Sequence, residues 1–417
     1  MRAKLIFAAV TAAGVLSALP AAADQITLTV GGWSCTNDAW QKNWCDLYKK
    51  FELAHPDIKV NAVNLKSTGG PQAGGEGLLV QIATGEVPDV AIMADTTLAQ
   101  FAAAGALTDV TPLYQNGTLD PSAYWNAALN AVTYEGRYWG VPFVTDDRAL
   151  YYNADLLSNA GYDAGPSTLD QLDAMAQKLT TKKADGSYNQ FGFWPGSGNW
   201  YLWGWGWLFG GEYYNTETRK ITANDPHIVD ALRWEVSYVQ RYQKSAGNFC
   251  KGTLGMNIDG SWSMTSLPTS CPGLKYGVVP VPPPAEGGQA TWSGIWTMAI
   301  PAGAKHVKEA QELVAFMTSA ESQAQFSEAL TEIPTSRAAI TAVAPGFIQK
   351  YGAAAKTFLD LTAVTHARPI IPTANDYWSA LFDAEKAAMT LKKTPQQALD
   401  DLTQQMQVKL DAALKSN

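Results

Sequence analysis

The chain has 417 residues, 47% hydrophobic and 16% charged, which excludes a disordered chain and is too long for one ordinary core. Its formal net charge of -8 excludes the basic footprint that nucleic acid requires and argues against an anionic membrane surface. A globular protein of two domains that binds no nucleic acid is expected.

Residues 1–23 read as an export signal. Arg2 and Lys4 give a positive start, residues 5–19 are apolar, and Pro20 with Ala21, Ala22 and Ala23 forms a small-residue cleavage site before Asp24. The apolar run is short for a membrane span. No cysteine follows the cleavage site, which argues against a lipid anchor. The sequence therefore predicts cleavage near Ala23 and a mature protein in the periplasm. That compartment is oxidising, so the four cysteines are expected as two local disulfides, Cys35–Cys45 and Cys250–Cys271. Three connectivities are possible in principle. The spacings lack the Cys-x-x-Cys clustering of zinc sites, and His55, His227, His306 and His366 are scattered, so no metal centre is expected.

In chain order, residues 26–32 (ITLTVGG) alternate and end in glycines, a first strand with Trp33 and Ser34 at its carboxyl end. An amphipathic helix over 38–54 follows, stopped by His55-Pro56. A strand over 58–63 leads into the glycine-rich loop KSTGGPQAGGEG, which lacks the Gly-Lys-Ser/Thr ending of a phosphate loop. A helix over 78–84, a strand over 89–93 and a helix over 97–104 complete a β-α-β-α-β pattern, the mark of an open parallel sheet. Ligands sit beyond the carboxyl ends of such strands. That rule marks Trp33, Ser34, the loop from Ser67 to Gly70, and Asp95. Asp95 reads equally as the N-cap of the helix after it.

Residues 138–153 (YWGVPFVTDDRALYYN) form a strand-rich block where the chain is expected to cross between domains. Asp146 and Asp147 could suggest the paired carboxylates of a glycosidase. Neighbours in an extended chain point to opposite faces, so the two would not share one bond. A capped helix is expected over 167–180.

The next segment, residues 191–214 (FGFWPGSGNWYLWGWGWLFGGEYY), holds five tryptophans. Flat apolar faces with N–H edges suit a sugar, though rings in such number also suit a core. Asn199 could cap a helix here that Gly210-Gly211 ends, with Trp200, Trp203 and Trp207 sharing a face. A long helix is expected from 225 to 242. After it, the blocks KGTLGMNIDGSW and TWSGIWTMAIP place Trp262 behind a Gly-Ser turn and Trp296 behind Gly294 on a strand. The glycine permits close backbone approach, or else marks a bulge. Helices are expected over 306–318 and 321–330. An extended ARPIIP segment carries Arg368, and helix follows from 376 to the end with a break near Thr394-Pro395.

Several short patterns recur here in a known order. They are ATGEVPDV, GVPFVTDDRALYYN, GMNIDGSW, GIWTMAIP and EIPTSRAAI, behind an export signal. Together they resemble the extracellular solute-binding proteins of carbohydrate ABC importers, the maltose-binding-like group, over nearly the whole mature chain. The resemblance implies an α/β, two-lobed periplasmic-binding-protein fold. Each lobe would be an open, mostly parallel sheet flanked by helices, with a hinge between. The first lobe would take residues 24–143 with 299–342 returning to it, and the second 144–298 with 343–417. The implied function is capture of a small-molecule carbohydrate by a monomer without cofactor, and delivery to the membrane subunits of an ABC permease. Carried over by position, ligand contacts are Trp33, Ser34, Ser67, Gly70, Asp95, Asp146, Trp262, Gly294, Trp296 and Arg368, with Trp203 from the aromatic stretch beside them. Two competing readings are a secreted glycoside hydrolase using Asp95, Asp146 or Asp147, and a binder of polyols or anionic sugars. Arg368 keeps the latter open, because a guanidinium matches oxyanions.

Overall fold

The protein is described by a computed structural model covering residues 25–36, 38–65, 74–196, 200–242 and 247–415. The export segment, the expected contacts Ser67 and Gly70, and the capping residue Asn199 lie outside the described residues. The first third follows its hydrophobic pattern closely. Strand β1 (Ile26–Gly32), helix α1 (Ala39–Ala54), strand β2 (Ile58–Asn64), helix α2 (Gly74–Thr84), strand β3 (Val90–Ala94) and helix α3 (Asp95–Ala103) alternate in order. Asp38 caps α1 by accepting the Trp40 and Gln41 amides. The helix buries Trp44, Leu47, Tyr48 and Phe51, the stripe that its spacing prescribes.

Three further strands complete the main path of the sheet. One runs through Val141–Asn153, another through Met256–Gly260, and a third through Thr291–Ala299. The main sheet has the order Met256–Gly260, Val141–Asn153, Thr291–Ala299, β3, β1, β2. Parallel pairing joins β1 to β2 and to β3. The expectation of mostly parallel sheets holds for that half and needs correction for the other. The strand Val141–Asn153 pairs antiparallel with Met256–Gly260, Tyr276–Val279, Thr291–Ala299 and Ile333–Pro334. It runs across both lobes in one direction, and its partners meet it running the opposite way.

That crossing strand joins two apolar cores. Phe143 and Val144 pack with Leu28, Val30, Trp44, Phe51 and Met298 in one. Ala149, Leu150 and Tyr151 pack with Leu172, Trp205, Leu232 and Leu381 in the other, which Ile333 also joins. The handover falls between Val144 and Ala149, and the polar residues Asp146, Asp147 and Arg148 occupy the gap.

Helices Val307–Met317, Ala320–Leu330, Ala374–Met389 and Pro395–Lys415 lie where the sequence places them. Helices Arg337–Tyr351 and Ala353–Leu361, and the short Thr111–Gln115 and Asn126–Asn130, were not expected. Pro345 inside Arg337–Tyr351 and Gly352 after it disguise the pattern there. Among the described residues no helix is long and apolar enough to cross a membrane.

Both local cysteine pairs are closed, Cys35 to Cys45 with Cα atoms 5.8 Å apart and Cys250 to Cys271 at 5.0 Å. Each bridge is expected to contribute about 2–4 kcal/mol to stability. Peptide mapping without reductant should recover these two pairs, and a Cys35–Cys250 peptide would refute the assignment.

Candidate ligand-binding site

The site forms where the crossing strand passes from one core to the other. On a strand, residues two apart share a face. Asp146 and Arg148 accordingly meet, with Arg148 Nη1 donating to Asp146 Oδ1 at 2.7 Å. Strand Thr291–Ala299 lies alongside, its Gly294 opposite Asp146, and the Gly294 amide donates to the same carboxylate oxygen at 3.1 Å. A side chain at Gly294 would lie 2.7 Å from the Trp200 ring, so glycine is what lets that indole reach the strand. Across the other edge, Gly260 pairs with Arg148. A Cβ at Gly260 would collide with the Trp262 ring, which folds back over its own strand.

Aromatic rings collect the two arginines. The Arg148 guanidinium lies 4.6 Å from the Trp200 ring and 4.4 Å from Trp262. That of Arg368 lies 4.8 Å from Trp200 and 4.3 Å from Trp378. Trp200 and Trp378 meet edge to face at 4.7 Å, so Arg368 fills the corner between them. Guanidinium–indole contacts of this kind contribute about 0.5–2 kcal/mol each, more when water is excluded.

Arg368 also pairs with Asp95, whose side chain is 0% exposed against 7% for the arginine. Asp95 opens helix α3, and the helix has no capping bond from Ala94 before it. Its carboxylate accepts the Thr96 amide and the Arg368 guanidinium, so it serves as an ion-pair partner as well as a helix start. Burial pushes the Asp95 carboxyl up, and Arg368 pulls it back.

Two further acids are buried nearby. Glu332 is held well above the usual carboxylate range by burial and by the Asp146 charge, against the pull of Arg148. Asp147 points away from Asp146, as strand alternation requires. It accepts the Thr365 hydroxyl at 3.0 Å, and burial pushes it up to about 8. A raised native pKa favours folding when the group is protonated. Its contribution is complete below the ordinary value of 3.8 and is lost as pH rises towards about 8. Asp147→Asn should therefore leave the melting temperature unchanged near pH 4 and raise it at pH 8. Equal effects at both pH values would contradict this assignment.

Trp33 and Trp296 form a second group beside the first. Their rings lie 4.9 Å apart, and Trp40 is 5.6 Å from Trp33. Trp296 sits between Ala94, which precedes Asp95, and Val144 of the crossing strand. The strand register shifts just after it, so the bulge expected near Gly294 lies between Trp296 and Thr297. Ser34 exchanges hydrogen bonds with Asn64, at 2.9 Å through its amide and 2.8 Å through its hydroxyl, and so ties the ends of β1 and β2 together.

One expected contact is placed elsewhere. Trp203 is 1% exposed and packs on Trp207, Tyr213 and Tyr377 in the core. Its helix, Tyr201–Leu208, is apolar on every side and buried from Leu202 to Leu208. Trp200, just before that helix, takes the place at the site. Arg148, Trp378 and Glu332 were also missed. Strand alternation from Asp146 could have found Arg148, whereas nothing in the terminal helical pattern singles out Trp378. Among the described residues no cluster of three His, Cys, Asp or Glu side chains could hold a metal.

The family described as bacterial extracellular solute-binding protein matches residues 36–324, more than half of the chain. The chain belongs to this family. Among curated relatives of this solute-binding protein is a maltotriose-binding protein of Pyrococcus abyssi (strain GE5 / Orsay), 25% identical over 58% of this chain. That alignment spans about half, 53%, of the relative's own length. A maltooligosaccharide ABC transporter solute-binding lipoprotein of Streptococcus pneumoniae serotype 4 is 25% identical over 69% of this chain and 70% of its own. The solved structure of CpMnBP1 with mannobiose bound superposes with a TM-score of 0.77, 25% identity, and coverage of 91% of this chain and 99% of that one. The solute-binding fold of two lobes is thereby established for this chain.

Proposed function

We propose that this solute-binding protein is the periplasmic component of an ABC importer. It captures a sugar or sugar derivative between its lobes and delivers it to the membrane permease. The observation that carries the reading is the cluster at the crossing strand. Indole faces suit the C–H faces of a sugar ring, while Asp146 and the guanidiniums offer directed hydrogen bonds to hydroxyls. The names of the relatives, maltotriose-binding and maltooligosaccharide-binding, and the mannobiose held by CpMnBP1 support a carbohydrate. Each guanidinium already faces a carboxylate, which favours an uncharged sugar over an anionic one.

In this reading the protein is a monomer without enzymatic activity, and its export segment is removed near Ala23. The first lobe takes residues 24–143 with 299–342, and the second 144–298 with 343–417. Trp33 and Ser34 contact the ligand from the first lobe, and Trp296 does so from the strand Thr291–Ala299. A thermal-shift screen over neutral sugars, polyols and acidic sugars tests it, since binding to the native state raises the melting temperature by mass action. Stabilisation by acidic sugars alone would overturn the preference for neutral ones. Purified protein should hydrolyse no glycoside, and turnover lost in Asp146→Asn would establish an enzyme instead.

Lobe closure is a hinge motion. The radius of gyration in solution scattering should fall on saturation with the sugar found in the screen. A constant radius would count against closure.

A further inference from the structure

The aromatic stretch that supplies Trp200 to the site continues to a separate cavity of about 590 Å³. Arg368 and Thr365, the hydroxyl partner of Asp147, line this cavity as well. Asn126 and Asn130, at the two ends of helix Asn126–Asn130, line it. Trp207, Glu212 and His366 line it as well.

These groups are already arranged as a polar frame on an aromatic support. Burial raises the Glu212 carboxyl, and the nearby Trp207 side chain pulls it back. The His366 ring stacks on Trp207 with centroids 5.0 Å apart and an interplanar angle of 27°. His366 Nδ1 lies 4.0 Å from Glu212 Oε1. Burial holds the His366 pKa below the usual imidazole range, so at neutral pH one ring nitrogen donates and the other accepts. Arg368 adds a buried Nε that has no hydrogen-bond partner among the described residues.

The frame thus offers amide, carboxylate, imidazole and guanidinium edges in a cavity of the size that small-molecule sites occupy. The cavity also exposes Ala127, Pro369 and Ile370, apolar surface for C–H groups. Arg368 is already paired with Asp95, so an anionic ligand gains no unmatched partner. An uncharged molecule carrying many hydroxyls fits both the polar edges and the apolar patches.

We propose that this cavity is a second pocket for a small neutral saccharide, divided from the first site by Arg368. The proposal takes the class of ligand from the sugar reading of the first site, and its location from the cavity alone. Calorimetric titration with glucose, maltose and mannobiose tests it, each carried to about 50 mM, far above ordinary pocket affinities.

With at least one probe, the wild-type protein should show a second, weaker saturable phase. That phase should persist in Trp262→Ala, which removes the first site. It should weaken at least tenfold in Asn130→Leu and in Glu212→Gln, whose melting curves report whether the fold is intact. A single phase that disappears with Trp262→Ala overturns the second pocket and leaves the sugar reading standing. A second phase indifferent to Asn130→Leu and Glu212→Gln overturns the pocket as well. Absence of any binding to the wild-type protein overturns both.

Discussion

Trp262→Ala is expected to abolish most ligand binding while leaving the fold intact. Trp262 is half-buried, follows a turn, and holds the Arg148 guanidinium against its face. Truncating a stacking ring of this kind costs about 2–4 kcal/mol by analogy with interface hot spots. That is roughly thirtyfold or more in affinity. The melting temperature should fall only by the value of one guanidinium contact. Trp203→Ala supplies the contrast. It empties a core position with 1% exposure and should cost about 3–5 kcal/mol of stability. Calorimetry on both variants, beside melting curves, separates the two roles. Unchanged affinity in Trp262→Ala with a large loss of stability would move the site towards Trp33 and Trp296.

Asp95→Ala should be the more damaging change to stability. It leaves the Arg368 guanidinium buried, with its carboxylate partner gone and only indole faces around it. Removing one member of a buried ion pair costs about 3–5 kcal/mol, mainly because the other charge remains unmatched. The pair itself contributes much less than that figure, since both groups were desolvated to form it. Asp95→Leu combined with Arg368→Met should therefore be more stable than Asp95→Ala alone. Denaturant unfolding of the three proteins decides the matter. A single variant that loses under about 1 kcal/mol would place the pair with solvent-screened surface bridges.

Much of this arrangement was legible from the order of residues. Glycine and alternating β-branched residues fixed β1, and the Asp38 cap with its apolar stripe fixed α1. Local patterns of that kind depend on near neighbours, so they survive without knowledge of the fold. The same holds for Asp146 and Asp147, whose opposite orientations follow from strand geometry alone. The aromatic stretch shows where such reading stops. Trp200, Trp203 and Trp207 share one helical face on paper. Yet the helix Tyr201–Leu208 is enclosed on all sides and Trp200 lies just outside it. Which ring meets the cleft depends on long-range packing, including the space left by Gly294 some ninety positions later in the chain. Trp378 was invisible for a related reason. It sits on a regular amphipathic helix, and only the fold brings Arg368 onto its face. Parallel pairing was over-generalised because the first three strands set a pattern that the crossing strand does not continue.

The crossing strand has a consequence for anyone who would redesign specificity. Asp146, Asp147 and Arg148 are consecutive along a segment that anchors both cores, and a deletion there would exchange the inward and outward sets. Libraries that vary these three positions would mix altered selectivity with mechanical failure of the joint. Trp262 and Trp378 come instead from a turn and a helix outside that segment. In the proposed site they are the positions from which a new ligand preference would be selected without rebuilding the joint between the cores.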